Sequence, residues 1–160
     1  MAHAPRLTVR VGQDRYDSPV AAPLVRELLA ELHDRYGQDD ADPDRLDAPQ
    51  LAAPHGTFLV AWLGADAIGC GGLRRADEGI GEIKRMYVRP AWRGHGIGRR
   101  LLDAIETRAR TLGYERLILE TGTRQPEAIG LYTSAGYAPI APYGAYRSSP
   151  LSRCFARELR

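Results

Sequence analysis

From Val88 to Arg99 the chain reads Val-Arg-Pro-Ala-Trp-Arg-Gly-His-Gly-Ile-Gly-Arg, between a strand-like run and a helical one. Glycines at 94, 96 and 98 remove three Cβ atoms on one side of the loop. Positive φ is then allowed, and backbone N–H groups can come close to a bound group. The helix that follows adds its free N-terminal N–H groups and the positive end of its dipole. Such a loop suits a diphosphate, with Arg93 and Arg99 able to add charge. The bland alternative is a tight strand-to-helix turn that binds nothing. A Walker loop needs Gly-Lys-Ser/Thr, and Lys84, the only lysine, is followed by Arg85, so that loop is excluded. A dinucleotide fingerprint needs Gly-x-Gly-x-x-Gly, but position 99 is Arg. Glu120 stands about where a ribose-binding acid would, yet the loop follows antiparallel strands instead of opening a βαβ unit.

Hydrophobic periodicity sets the elements around this loop. Leu7–Val11 reads as a strand. Pro19 to about Tyr36 reads as a helix, with Val25, Leu28, Leu29 and Leu32 at helical spacing. Gly37–Pro54 is rich in Asp and Pro and reads as an irregular loop with one helical turn, of the kind that often borders a binding site. Thr57–Leu63 and Ala67–Leu73 pair as a hairpin across Gly64-Ala65-Asp66. Arg74–Gly79 reads as a turn. Gly81–Arg89 is a third antiparallel strand, ended by Pro90, with Glu82, Lys84, Met86 and Val88 on one parity. Ile97–Leu112 is the clearest helix. Ile97, Leu101, Leu102, Ile105, Ala109 and Leu112 share its apolar face, whereas Arg99, Asp103, Glu106 and Arg110 lie off it. Gly113 ends it. Leu117–Thr121 is apolar on both parities at its start, as a central strand is. Pro126 opens a short helix that runs to Ala135. Tyr137–Ile140 and Ser152–Leu159 are the last strands. This order predicts a mixed α/β fold of the α+β type, in one domain over residues 1–160.

Bulk composition narrows the class. The 44% hydrophobic and 26% charged content is that of a globular protein. No run of about 18 apolar residues occurs, which argues against a membrane span, and the start carries no apolar signal core, so a cytoplasmic location is expected. The 22 basic residues are dispersed among 20 acids, so no nucleic-acid-binding stripe forms. All but one of them are arginine, a bias read as GC-rich coding in a bacterium. Cys70 and Cys154 make no disulfide framework, and four scattered histidines show no metal-ligand spacing, so no metal is expected.

Arg93-x-x-Gly96-x-Gly98, after Met86-Tyr-Val-Arg-Pro90, resembles the acetyl-CoA signature of the GNAT superfamily of N-acetyltransferases. The likeness extends through Leu101-Leu102, Leu119-Glu-Thr121, Ala128-Ile-Gly-Leu-Tyr132 and Ala135-Gly-Tyr137. It implies a GNAT-like, mostly antiparallel central sheet with a splayed parallel strand pair, flanked by helices. The pair would be Gly81–Arg89 and Leu117–Thr121, with the pantetheine arm between them. Backbone of Met86, Tyr87 and Val88 would pair with that arm as a strand would. The resemblance puts the pyrophosphate contacts on Arg93, Gly94, His95, Gly96, Ile97, Gly98 and Arg99. Gln125 stands where many relatives have Asn.

The implied activity is transfer of an acetyl group from acetyl-CoA to a primary amine of a small molecule or peptide, by direct attack in a ternary complex. The amine must lose a proton, the developing oxyanion must be stabilised, and the thiolate must leave. By resemblance Tyr132 is the acid that protonates the thiolate, or else packs its helix on the sheet. Glu82 and Glu120 compete as general base, each with a structural ion pair as its alternative. The segment Pro142–Pro150, rich in turn residues and aromatics, would close over the acceptor, with Arg147 for a carboxylate; Arg74, Arg75 and the acidic Gly37–Asp47 loop would border it. Relatives often dimerise through late strands, which implies a homodimer. Competing readings are a non-catalytic acyl-CoA sensor of the same fold and a protein that binds another diphosphate.

Overall fold

The computed structural model describes residues 8–37 and 46–160; Leu7 and most of the acidic Gly37–Asp47 loop lie outside the described residues. Seven strands form one sheet: β1 (Val9–Gln13), β2 (Thr57–Leu63), β3 (Asp66–Asp77), β4 (Ile80–Val88), β5 (Arg116–Gly122), β6 (Ala138–Ile140) and β7 (Ser152–Glu158). Their order is β1-β2-β3-β4-β5-β7-β6. Only β4 and β5 run parallel; every other neighbouring pair is antiparallel. Helix α1 (Ala21–Tyr36) covers one face, and α2 (Ile97–Thr111) and α3 (Pro126–Ser134) cover the other. This is the mixed α/β architecture that the element order predicts.

Two cores result. On the α2 face, Leu101, Leu102 and Ile105 pack on Leu73, Ile83, Leu117 and Leu119. On the α1 face, Leu24, Val25 and Leu28 pack on Phe58, Val60, Cys70 and Tyr87. Each such fully buried aliphatic side chain contributes roughly 1.5–3 kcal/mol against the entropy of ordering it. One residue breaks the expected pattern of α2. Glu106, read as off the apolar face, is only 3% exposed. It accepts from Tyr137 Oη at 3.2 Å and from Arg157 Nη1 at 2.5 Å. These partners come from the α3–β6 junction and from β7, and they offset the cost of burying the charge.

The strand β3 is longer than its apolar run. Arg74 stands directly across from Glu82 and pairs with it, Nε to Oε1 at 2.7 Å. This cross-strand charge pair carries the hairpin past the expected turn at Arg74–Gly79. The reversal comes at Glu78–Gly79, where Gly79 has φ +71°.

A bulge in β4 shapes everything that follows. Cys70 opposes Tyr87 and Gly72 opposes Lys84, so Gly71 alone faces two residues, Arg85 and Met86. Arg85 takes φ +60°, the one described non-glycine residue in the left-handed region, at a cost of about 1 kcal/mol. Met86 turns over Gly71, where a Cβ would collide with its sulfur. The extra residue inverts the side-chain alternation. Ile83 packs in the α2 core, so Glu82 and Lys84 face α1, whereas Met86 and Val88 pack on the α2 side. The expected shared face of Glu82, Lys84, Met86 and Val88 therefore ends at Lys84. Parallel pairing with β5 also ends here: it runs from Ile80–Arg116 to Ile83–Leu119, after which the two strands diverge.

Candidate active site

Past Val88, Pro90–Trp92 makes one 3-10 turn and the chain reaches α2 through Arg93–Gly96. Gly94 has φ +82° and Gly96, the residue capping α2, φ +76°. Nothing lies within 4 Å of where a Cβ would stand at either position. Their backbone conformation demands glycine, and the space in front of them is open. Gly98 plays a different part: its Cβ would meet Leu131 of α3 at 3.2 Å. Two glycines thus shape the loop, and the third lets α3 lie close on α2.

The divergence of β4 and β5 opens a cleft of about 760 Å³. Met86, Tyr87 and Val88 form one wall. Arg93, Gly94, Gly96, Ile97, Gly98 and Arg99 form its end, and Glu120, Gln125 and Tyr132 line the other side. Among the predicted donor-binding residues, His95 alone is left out. Its side chain is exposed, with its ring 6.0 Å from Trp92. The first turn of α2, whose N–H groups have no intrahelical acceptors, borders the cleft.

The two expected arginines are not idle. Arg93 clamps Glu31 with both terminal nitrogens at 2.9 and 2.8 Å, and its Nε donates to the Val88 carbonyl at 2.9 Å. Glu31 also takes Arg35, which reaches Glu127 on α3. A chain of charges therefore runs from the glycine loop over α1 to α3, along the rim of the cleft. Arg99 pairs one turn on with Asp103 at 3.2 Å, at the surface. Gln125 Oε1 accepts from Tyr36 at 3.2 Å, and Tyr36 packs where a side chain on Gly122 would stand.

Two hydroxyl side chains stand in the cleft wall. Thr121 Oγ1 is buried without a hydrogen bond. Tyr132 is 5% exposed and sits edge-to-face with Tyr137 at 5.7 Å. Burial pushes its phenol well above the ordinary range, so it stays protonated.

Glu82 lies outside this cleft. It lines a smaller cavity of about 470 Å³, together with Arg74, Arg75, Ile118 and Tyr143. It is 4% exposed, and its Oε2 accepts from Tyr143 at 2.8 Å while Oε1 takes Arg74. Glu120 is the one residue that lines both cavities. The Cys154 thiol donates to its Oε2 at 3.8 Å. Tyr143 was not singled out by the sequence; the aromatic segment containing it was, but choosing Tyr143 over Tyr146 needs the path of the loop. Arg147, expected at the acceptor, is exposed and lines neither cavity. Among the described residues no cluster of His, Cys, Asp or Glu is placed to hold a metal ion, and no helix is long and apolar enough to cross a membrane.

Known proteins resemble this chain in sequence and fold. The sequence model of the acetyltransferase (GNAT) family matches residues 23–137. An IAA acetyltransferase of Azospirillum brasilense is 44% identical over 140 residues, covering 85% of this chain and 90% of that protein. A crystal structure assigned to the acyl-CoA N-acyltransferases, from Klebsiella pneumoniae, superposes with a TM-score of 0.80 at 31% identity, over 97% of this chain and 100% of that one. A GNAT family acetyltransferase from Elizabethkingia anophelis, solved with acetyl-CoA bound, has the same fold at a TM-score of 0.66 and 17% identity, over 94% and 97% of the two chains. The splayed strand pair, the glycine loop and these matches place the chain in the acetyltransferase (GNAT) family, as an acyltransferase enzyme.

Proposed function

We propose that the protein transfers an acetyl group from acetyl-CoA to a primary amine of a small molecule or peptide, by direct attack in a ternary complex. One observation carries this reading: the cleft runs from open α2 N–H groups along Met86–Val88, where β4 has parted from β5, to Glu120, which opens onto a second cavity. The residues fit such a donor. Gly94 and Gly96 leave a cradle that a Cβ would narrow, the Thr121 hydroxyl has a hydrogen bond to give, and Tyr132 lines the cleft.

Acetyl-CoA supplies the activated thioester. The amides at Gly96–Arg99 bind its diphosphate through N–H donors and the α2 dipole. The backbone of Met86–Val88 holds the arm by strand-like hydrogen bonds, and the smaller cavity holds the amine. Glu120, at the junction, takes the proton from the ammonium group, directly or through water. Glu82, held by Arg74 and Tyr143, fixes the amine by its charge. Tyr132 donates its proton to the departing sulfur. Free-thiol release from acetyl-CoA, measured with benzylamine, spermidine, glycinamide and a tripeptide with a free amino terminus, tests the reading. Turnover with at least one amine is expected. Tight binding of acetyl-CoA with no turnover of any amine would favour a sensor instead.

A further inference from the structure

The segment between β6 and β7, residues 141–151, borders both cavities. Tyr143, Gly144 and Ala145 line the smaller one, and Tyr146, Ser149 and Leu151 line the cleft. Tyr143 also reaches one of the two carboxylates directly. Its phenol donates to Glu82 Oε2 at 2.8 Å, across 61 positions of sequence. The other carboxylate, Glu120, accepts at Oε2 from the Cys154 thiol at 3.8 Å. Burial, reinforced by the charge of Glu82, pushes the Tyr143 phenol far above its ordinary range, so it is a donor at any working pH.

We infer that Tyr143 is a positioning residue for acetyl transfer: it locks the Glu82 carboxylate in the orientation that receives the acceptor amine. The inference rests on reading the smaller cavity as the acceptor site. With Arg74 on one oxygen and Tyr143 on the other, Glu82 keeps a single side-chain rotamer. Without the phenol the carboxylate stays buried and tied to Arg74, but its second oxygen is free to swing. The amine then loses its fixed counter-charge, and orientation is what the reaction most needs. Because the same segment lines the donor cleft, its anchoring at Tyr143 also keeps the two sites in one geometry.

Tyr143→Phe removes the donor and keeps the ring. With the best acceptor of the amine panel, kcat/KM for the amine is expected to fall roughly 10- to 100-fold, the size of a lost hydrogen bond to a charged group, while the KM for acetyl-CoA stays within about twofold. On a Glu82→Gln background the same change is expected to cost less than about twofold, because Tyr143 acts through Glu82. Glu82→Asp, which withdraws the carboxylate from Tyr143, provides a second route to the same loss of amine kcat/KM. The inference is overturned if Tyr143→Phe, or Glu82→Asp, leaves amine kcat/KM within twofold of wild type. It is also overturned if the Tyr143 and Glu82 losses multiply, as two independent structural roles would. A wild-type chain that acetylates no amine removes the reading beneath it and the inference together; an active wild type with an unaffected Tyr143→Phe removes the inference alone.

Discussion

At the residue scale the proposed chemistry divides among three side chains of unlike surroundings. Tyr132 is a buried phenol in the cleft wall, held protonated by its burial. Tyr132→Phe keeps the ring packed on Tyr137 and removes only the proton donor. Steady-state thiol release should show kcat falling about 100-fold, the usual scale for a positioned acid, with little change in KM for acetyl-CoA. Unchanged turnover would make Tyr132 a packing residue. The two carboxylates should separate in pH–rate profiles. Glu120→Gln is expected to abolish the acidic limb of kcat/KM along with most activity. Glu82→Gln is expected to raise the KM for the amine while the limb survives, since both Glu82 oxygens are already engaged.

At the element scale the loop and helix were the legible part. Gly94 and Gly96 announce a left-handed turn into α2, and the periodicity from Ile97 to Ala109 gives the buried face of that helix. Gly98 looked like a third member of the loop, because sequence does not show that Leu131 of α3 lies against it. The splaying of β4 from β5 was legible only through the family likeness, and the bulge in β4 was not. Its cause is a mismatch of register between β3 and β4, with Gly71 opposite both Arg85 and Met86, and no single strand carries that information. Glu106 misled for the same reason: its burial depends on Arg157 and Tyr137, which the chain brings in much later. Of the site, the residues along β4 and the glycine loop could be named from sequence, whereas Tyr143, the separation of Glu82 from the cleft and the placing of Arg147 depend on how loops pack. Gly96→Ala tests the loop directly. Forcing a Cβ into φ +76° should cost about 1 kcal/mol, lowering Tm by roughly 2–4 °C. Calorimetry should show CoA binding weakened about tenfold, since the turn must shift; equal affinity would show that this turn does not set the amide donors.

Across the whole molecule, charges fasten α1 to the rest of the site. Glu27 bonds Arg89 at 3.0 and 2.8 Å and also accepts from Tyr87, whose phenol burial pushes up to about 12. The Arg89 hydrogen bond, more than anything else, holds the Glu27 carboxyl below its ordinary 4.5. For Glu127, burial acts upward, but its backbone hydrogen bond and Arg35 outweigh it and the net direction is again down. A carboxylate lowered in the fold stabilises it above its unfolded value and loses that contribution as pH falls through the folded one. Tm should therefore be level above about pH 5 and fall on acidification below the ordinary 4.5 of these groups. Glu27→Gln should flatten that fall; an unchanged slope would show that the α1 pairing carries no stability. The account as a whole rests on where the donor's diphosphate sits, and a crystal structure with CoA reads this directly. The diphosphate oxygens should accept hydrogen bonds from the N–H groups of Gly96–Arg99, with the arm lying along Met86–Val88. A diphosphate bound elsewhere, with the start of α2 making no contact to it, would contradict the assignment.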